Sequence, residues 1–360
     1  MEKLRFNIKG AYGESNFGDD LLMKVFEDYF KKEFPQVELN FEGENVRYPK
    51  NILTKASYNK KSDYHWLVYG GGTQFFAFNS SNKLSLNEKL RIGIRNPKLV
   101  LSKLSNLIRS KKKQASDCKT AFLGFGLGPF SDNVNAIENA KGSLKTAEFI
   151  GVRDEVSYEY CKEWGLDAVL GADVVFSSYF GNSLNVSESS RESKKKIGVI
   201  VRDWEFEESG KAYCSKIKEF IAGKEDVDFK IVILAPLRDK TWVRETRSEN
   251  VIIWEPDKHT IEDFLFTLND FDAFISARYH GAIIGALLKK PVICIEIEPK
   301  LRILSEQIKQ YGLWEKPFDL IQLESLVTNL NYDIDYSVAL SEYRKKADMM
   351  LNEFKSFCND

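Results

Sequence analysis

The chain has 360 residues, 43% hydrophobic and 13% aromatic, which suffices for two domains with real cores. A net charge of −1 excludes the global field that draws nucleic acid, so a charged ligand must be met by local patches. Five scattered cysteines without a C-x-x-C pair argue against a disulfide framework or zinc site and for free thiols in a reducing compartment. The first residues, MEKLRFNIKG, lack the apolar core of a secretory signal, and no run approaches the ~20 apolar residues of a membrane span. The expected location is the cytoplasm.

Leu4, Phe6 and Ile8 alternate as a strand; after Gly10, Gly13 and Gly18, Leu21, Leu22, Val25, Phe26, Tyr29 and Phe30 follow at helical spacing. Asp19 or Asp20 is the expected N-cap of that helix. QVELNFE reads as a short second strand, HWLVYGGGTQFF as a buried strand running into Gly70, Gly71 and Gly72, and TAFLGFGLGPF as another glycine-ended strand. EFIGVRDEVSYEYCKEWG reads as strand, turn and helix, and LDAVLGADVVF closes a first domain over 1–176. The serine-rich stretch 177–196 reads as a linker to a second domain over 197–360.

There the pattern restarts. The strands KIGVIVRDW, FKIVILAPL, VIIWEP, FDAFISA and PVICIEI are interspersed with helices near 209–222, at TIEDFLFTLND and at AIIGALLKK. SVALSEYRKKADMMLNEFKSF is an amphipathic terminal helix, assigned by its position to the second domain. This alternation predicts an α/β protein: two Rossmann-like domains with parallel sheets facing a cleft. Ligands of such sheets bind beyond the carboxyl ends of the strands, where the glycine and charged turns cluster here.

Several of those turns carry candidate chemistry. GAYGESNFGDD matches neither the dinucleotide nor the P-loop fingerprint. It is either a plain turn or a helix start whose amides face an anion or sugar hydroxyl, with Asn16 and Asp19 as side-chain contacts. Gly70, Gly71 and Gly72 either make a tight turn or let backbone approach a ligand. Arg153, followed by the good N-cap Asp154, is either a surface or ion-paired residue or a guanidinium at the cleft edge suited to a carboxylate or phosphate. In ARYHGAIIGALLKKP, His280 is either a capping or core histidine or, with Arg278 and the amides opened by Gly281, part of an anion pocket. Lys300 lies past the next strand, and Arg202 occupies a similar strand end. Cations from adjacent strand ends are expected to converge.

Residues 89–113 hold nine basic side chains and no acidic one, with Val100, Leu104, Leu107 and Ile108 on one helical face. The segment is either a solvated helix or a basic amphipathic element resting on anionic lipid at the inner face of the cell membrane. It lacks the interleaved aromatics that stack nucleic-acid bases, so no nucleic-acid partner is expected.

Together, NFGDD, GGGTQFF, GFGLGPF, GVRDEVSYEY, GADVVF, IGVIVRDW and ARYHGAIIGALLKKPVICIEIEPK resemble the polysaccharide pyruvyl transferase family, in the family's order from residue 5 to about 313. The resemblance implies a GT-B-like fold. It also implies transfer of the enolpyruvate-derived group of phosphoenolpyruvate onto a sugar of a capsule or cell-wall glycan precursor, giving a pyruvate ketal. The family's phosphoenolpyruvate-binding residues correspond here to Arg153, His280 and Lys300, the candidate catalytic set. The approach to that lysine, Glu296-Ile297-Glu298-Pro299, departs from the more usual aromatic one. Arg278, Arg202, Asn16, Asp19, Gly70, Gly71, Gly72 and Asp173 are further substrate contacts, with Asp19 and Asp173 also placed as bases. The donor is a substrate, and no cofactor or metal is expected; the acceptor is a lipid-linked or nucleotide-linked sugar. Two other readings stay open: a nucleotide-sugar glycosyltransferase of the same fold, and a non-catalytic partner in a surface-glycan complex.

Overall fold

The computed structural model describes residues 3–60, 62–75, 118–131, 133–180, 194–204, 208–246 and 250–359. The basic segment 89–113 and most of the 177–196 stretch lie outside them.

The first half runs β1 (Arg5–Lys9), α1 (Phe17–Glu33), β2 (Glu38–Glu42), α2 (Pro49–Ile52), β3 (Ser57–Tyr58), β4 (Trp66–Gly70), β5 (Thr73–Phe75), β6 (Lys119–Leu127), α3 (Val134–Leu144), β7 (Phe149–Val152), α4 (Glu155–Glu163) and β8 (Val169–Leu170), then a 3-10 turn at Val174–Phe176. Its strands form one parallel sheet in the order β3-β2-β1-β4-β6-β7-β8, with β5 paired to β6.

The second half runs β9 (Lys195–Ile200), α5 (Glu208–Ala222), β10 (Val227–Ile233), α6 (Lys240–Glu245), β11 (Val251–Ile253), α7 (Ile261–Asn269), β12 (Ala273–Ser276), α8 (Tyr279–Leu287), β13 (Val292–Ile295), α9 (Pro299–Gln307), β14 (Gly312–Trp314), α10 (Leu320–Thr328) and α11 (Ser337–Asn359). Its parallel sheet has the order β11-β10-β9-β12-β13-β14. The expected pair of α/β sheets is present. Strands β12 and β13 are buried at every residue, as helices on both faces of a parallel sheet require.

Each sheet reverses strand order once at its centre, between β1 and β4 and between β9 and β12. The loops leaving those strands at their carboxyl ends therefore splay apart and open a crevice. Asn16, Gly70, Arg202 and Arg278 all stand at these two reversals.

Two expectations need correction. The N-cap of α1 is Asn16, in extended conformation, while Asp19 and Asp20 fall within the first helical turn. They still suit the positive end of the helix, but from inside it. The terminal helix α11, placed with the second half by sequence order, packs on the first sheet. Its Phe354 ring sits 5.2 Å from Phe149, 5.7 Å from Trp66 and 6.1 Å from Phe30. Tyr29 Oη donates to Leu351 O at 2.7 Å, and Lys355 Nζ to Glu33 Oε2 at 2.7 Å. Gly151 and Gly171 present bare backbone to Met350, so the helix lies close against β7 and the residues after β8. Near its start, Tyr343 Oη reaches Gln307 O of the second half at 3.1 Å. The apolar spacing identified the helix, but spacing does not say which sheet an apolar stripe covers.

Phe354→Ala is expected to cost about 3–5 kcal/mol, read as a lower urea midpoint. Phe266→Ala, at a side chain 76% exposed on α7, leaves the midpoint unchanged.

Candidate active site

A cavity of about 760 Å³ opens between the halves at the two strand reversals. The first half contributes Asn16, Asp19, Gly70, Gly71, Gly72 and Arg153, and the second contributes Arg202, Arg278, His280 and Lys300. Thus every expected site residue except Asp173 lines one space.

Asp173 lies behind the wall. Its side chain is 0% exposed, and Oδ2 takes Arg153 Nη1 at 3.2 Å and His280 Nε2 at 3.3 Å. Its other oxygen accepts from the Val175 amide at 3.1 Å. Burial pushes this carboxyl up, but His280 and Arg153 outweigh it and hold it below its ordinary value. Asp173 is therefore not placed as a substrate contact or a base: it is ionised, shielded from the cavity and already accepting from two side-chain donors.

Arg153 follows β7, and its guanidinium lies 4.3 Å from the centre of the Tyr279 ring. Burial disfavours its charge, yet Tyr279, Asp173 and Asp154 raise its pKa above the ordinary value. Asp154 caps α4 through the Ser157 amide at 2.8 Å, as its position predicts. His280 stands in the first turn of α8 and meets α1 of the other half. A β-carbon on Gly18 would come within 2.2 Å of His280 Nδ1, so only glycine leaves room for the ring. Because ionised Asp173 can only accept, Nε2 is the donor; in the neutral ring Nδ1 is then the acceptor.

Arg278 lines the cavity but is otherwise engaged. Its Nη2 sits 2.6 Å from Asp239 Oδ1, and its Nε donates to Val201 O at 3.2 Å. It is first a buried structural pair with Asp239. Lys300 stands in the first turn of α9, with Pro299 ahead of it at the first helical position. Its Nζ is 2.9 Å from Glu298 Oε1, which also accepts from Arg202 Nη1. Burial lowers the Lys300 pKa to about 8; Glu298 opposes the shift, and Arg202 and Arg153 add to it.

Asn16 donates to Asp19 Oδ2 at 2.5 Å. Burial raises the Asp19 pKa, against the lowering effects of Arg238, His280 and Asn16. At the glycine turn, Gly71 and Gly72 adopt φ of +68° and +71°, a region that glycine enters without cost. A β-carbon on Gly71 would strike Leu22 of α1 at 2.8 Å. The triplet is a tight turn against a helix, and its backbone lines the cavity.

The helices that open on the cavity share one trait. The N-cap residues of α1, α8 and α9, namely Asn16, Arg278 and Glu298, make no side-chain cap bond, whereas Asn133, Asp154, Thr260 and Asp319 cap α3, α4, α7 and α10. First-turn amides have no partner within their own helix, so three helix starts present N–H groups and positive dipole ends to this space.

Sequence reading passed over Arg238, Asp203, Asp239 and Tyr279, which also line the cavity. A signal existed for the first and third: ILAPLRDK places a charged pair just past β10, the rule that selected Arg153 and Arg202. Among the described residues, no group of three His, Cys, Asp or Glu side chains could hold a metal ion.

Two facing parallel sheets, a cleft at their strand reversals and a terminal helix returning to the first sheet define a protein of the GT-B-like class. Similar solved structures share that fold. UDP-N-acetylglucosamine 2-epimerase from Methanocaldococcus jannaschii, in complex with UDP-GlcNAc and UDP, has a TM-score of 0.56 at 12% identity, over 98% of this chain and 99% of that one. A putative UDP-N-acetylglucosamine 2-epimerase from Listeria monocytogenes has 0.55 at 10% identity, over 99% and 96%. MnaA of S. aureus with UDP has 0.55 at 9% identity, over 100% and 97%. At such identities the likeness concerns the fold alone. Among curated proteins, none matches the chain significantly. The model of one family, polysaccharide pyruvyl transferase, matches residues 16–299, and the chain belongs to that family.

Because Asp239 is fully buried beneath Arg278, Arg278→Met is expected to cost about 3–5 kcal/mol by leaving a buried carboxylate uncompensated. Adding Asp239→Asn in the same chain recovers part of that loss in a thermal melt.

Proposed function

We propose that the protein transfers the enolpyruvate-derived group of phosphoenolpyruvate to a sugar of a surface-polysaccharide precursor, forming a pyruvate ketal and releasing phosphate. The observation that carries this reading is the convergence of Arg153 and His280, one from each half, on Asp173 Oδ2, with Lys300 lining the same cavity. Membership of the family supports it. Phosphoenolpyruvate presents a carboxylate and a phosphate on a three-carbon frame. Fixed cations from separate strand ends suit two anionic groups better than one phosphate loop would.

In this scheme Arg153 and Lys300 grip the anionic groups. His280, when protonated, carries a Nδ1 proton while Asp173 steadies the charge from behind. That form contacts the phosphate and gives its proton to C3 of the enol. One acceptor hydroxyl oxygen bonds to C2, and a second then displaces phosphate from the same carbon. Of the two hydroxyl protons released, one restores His280 and the other leaves with phosphate. Asp19, on the acceptor side of the cleft, takes the first hydroxyl proton and passes it to the departing phosphate, while the second hydroxyl proton is the one that restores His280. The fixed cations stabilise charge as phosphate departs, so the scheme calls for no cofactor beyond the donor. The acceptor, carried on a lipid or a nucleotide, lies against Asn16, Asp19 and the turn at Gly70, Gly71 and Gly72.

Incubation with phosphoenolpyruvate and a panel of lipid-linked and nucleotide-linked sugars is expected to yield one product heavier by a pyruvyl ketal, together with free phosphate. His280→Ala lowers the turnover by about 10²–10⁴-fold, and Arg153→Ala abolishes phosphate release. Near-normal turnover in either would remove that residue from the mechanism. Stabilisation by UDP-sugars but not by phosphoenolpyruvate would instead favour a nucleotide-sugar glycosyltransferase.

The same reading sets the work at the inner face of the cell membrane, with the basic segment 89–113 docked on anionic lipid. No helix among the described residues is long and apolar enough to cross a membrane. The protein is expected to float with anionic liposomes and not with neutral ones; equal recovery with both would sink the docking role.

A further inference from the structure

The run Glu296-Ile297-Glu298-Pro299 places an acidic side chain two residues before Lys300, in the part of the sequence that departs from the family's usual approach. Glu298 occupies the N-cap position of α9 with φ −142° and ψ 152°, yet its side chain caps no backbone amide of that helix. Its carboxylate meets side-chain cations instead. It is buried, its Oε1 lies 2.9 Å from Lys300 Nζ, and the same oxygen accepts from Arg202 Nη1. The Arg202 guanidinium in turn lies 4.7 Å from the centre of the Trp204 ring.

We propose that Glu298 is a positioning residue for the anionic donor: one carboxylate, shared between Arg202 and Lys300, keeps the lysine ammonium charged and fixed at the cavity wall. This rests on the donor reading given above. Helix geometry alone does not require an acid here. A serine or aspartate would cap α9 better, since glutamate is too long to reach back readily to the N2 or N3 amide. What glutamate supplies is reach towards two cations on different strand ends. Without it, Arg202 and Lys300 would face each other inside a partly buried site, with Arg153 adding further repulsion, and the ammonium is the group of the three that can shed its proton.

The charged groups acting on this unit come from every neighbouring element. Arg153 follows β7, Arg202 follows β9, and Arg278 follows β12. Asp239 and Arg238, past β10, act on Arg202. Arg278 is neutralised by Asp239, and Arg153 by Asp173. Glu298 is thus the carboxylate that decides the balance at Lys300. Burial and the neighbouring arginines bring Lys300 to about 8, and Glu298 is the group holding it from falling further.

Two readouts test this. The first is the pH titration of the Lys300 ¹³Cε resonance without ligand, assigned by its loss in Lys300→Arg. The second is phosphoenolpyruvate affinity by calorimetry from pH 6 to 10. In the wild type, affinity falls as pH rises through the Lys300 midpoint, and Lys300→Arg removes that break. Glu298→Gln moves both midpoints down by about one unit, so that at a pH above both the ammonium fraction falls about tenfold. Arg202→Met moves them up, because it removes a repelling charge and leaves Glu298 to Lys300 alone. Opposite displacements in two variants cannot come from general loosening of the fold. A uniform change of affinity with unmoved midpoints would reduce Glu298 to a structural role and overturn the proposal. If the wild type fails to bind phosphoenolpyruvate, the donor reading falls, and the resonance titration still decides the role of Glu298.

Discussion

Asp173 Oδ2 receives Arg153 Nη1 at 3.2 Å from the first half and His280 Nε2 at 3.3 Å from the second. An ionised carboxylate with no solvent contact is costly unless its lone pairs are filled, and here two of its three donors come from different halves, the third being the Val175 amide. The cost of burying Asp173 thereby becomes a constraint on how the halves sit. When Arg153 and His280 both reach it, the acid is satisfied, the imidazole is fixed with Nε2 as donor, and the guanidinium is held against Tyr279. The mutual arrangement of the halves and the protonation pattern of the site are one problem with one solution.

The start of α1 makes the second tie. The Phe17 amide donates to Leu234 O at 2.8 Å, and its ring packs 4.9 Å from both Trp254 and Phe264. Trp254 Nε1 donates to Asp20 Oδ2 at 2.8 Å, and Arg238 Nε to Glu14 Oε2 at 2.9 Å. Asn16, Gly18 and Asp19 line the cavity, while Phe17 and Asp20 grip the second half. One helical turn therefore serves both as clasp and as cavity wall. Burial brings the Asp20 carboxyl up to about 7 even though Trp254 and Tyr48 both donate to it. The clasp retains a polar group where burial alone would favour an apolar one.

Much of this was legible from the sequence because a parallel sheet writes its function at strand ends. The alternation of apolar runs and glycine or charged turns foretold both sheets, and the same turns supplied Arg153, Arg202, Arg278, His280 and Lys300. What strand-end position does not reveal is which carboxylate each cation meets. Arg278 and Arg202 look equivalent in sequence, yet one is sunk on Asp239 and the other shares Glu298 with a lysine. Asp173 follows β8 like any cleft residue, but the 3-10 turn behind it points its side chain inward. The terminal helix was legible as a helix and not as a partner of the first sheet, since its stripe of Tyr343, Ala347, Met350, Leu351 and Phe354 carries no address. Contacts between segments far apart in sequence are what a single chain, read linearly, withholds.

The cations of the cleft are matched by carboxylates of the same fold: Arg153 by Asp173, Arg278 by Asp239, Arg202 and Lys300 by Glu298, and Arg238 by Glu14. Like charges about 4 Å apart at a partly screened site would repel by roughly 4 kcal/mol, so the cleft depends on these internal counter-ions to hold its cations in register. The arrangement also bears on selectivity. A neutral sugar would bring no charge to compete with those carboxylates for the cations, and a single anionic group would reach only part of the row. On the proposed function, a donor with two anionic groups on a short carbon frame would engage cations of both halves and the positive starts of α8 and α9 together. On the proposed reaction, donor and acceptor are told apart by this division: paired charges on the side of His280 and Lys300, glycine backbone and the Asn16 amide on the other. On that same proposal, the counter-ions that keep the cleft from repelling itself hold its cations where a doubly anionic donor would meet them.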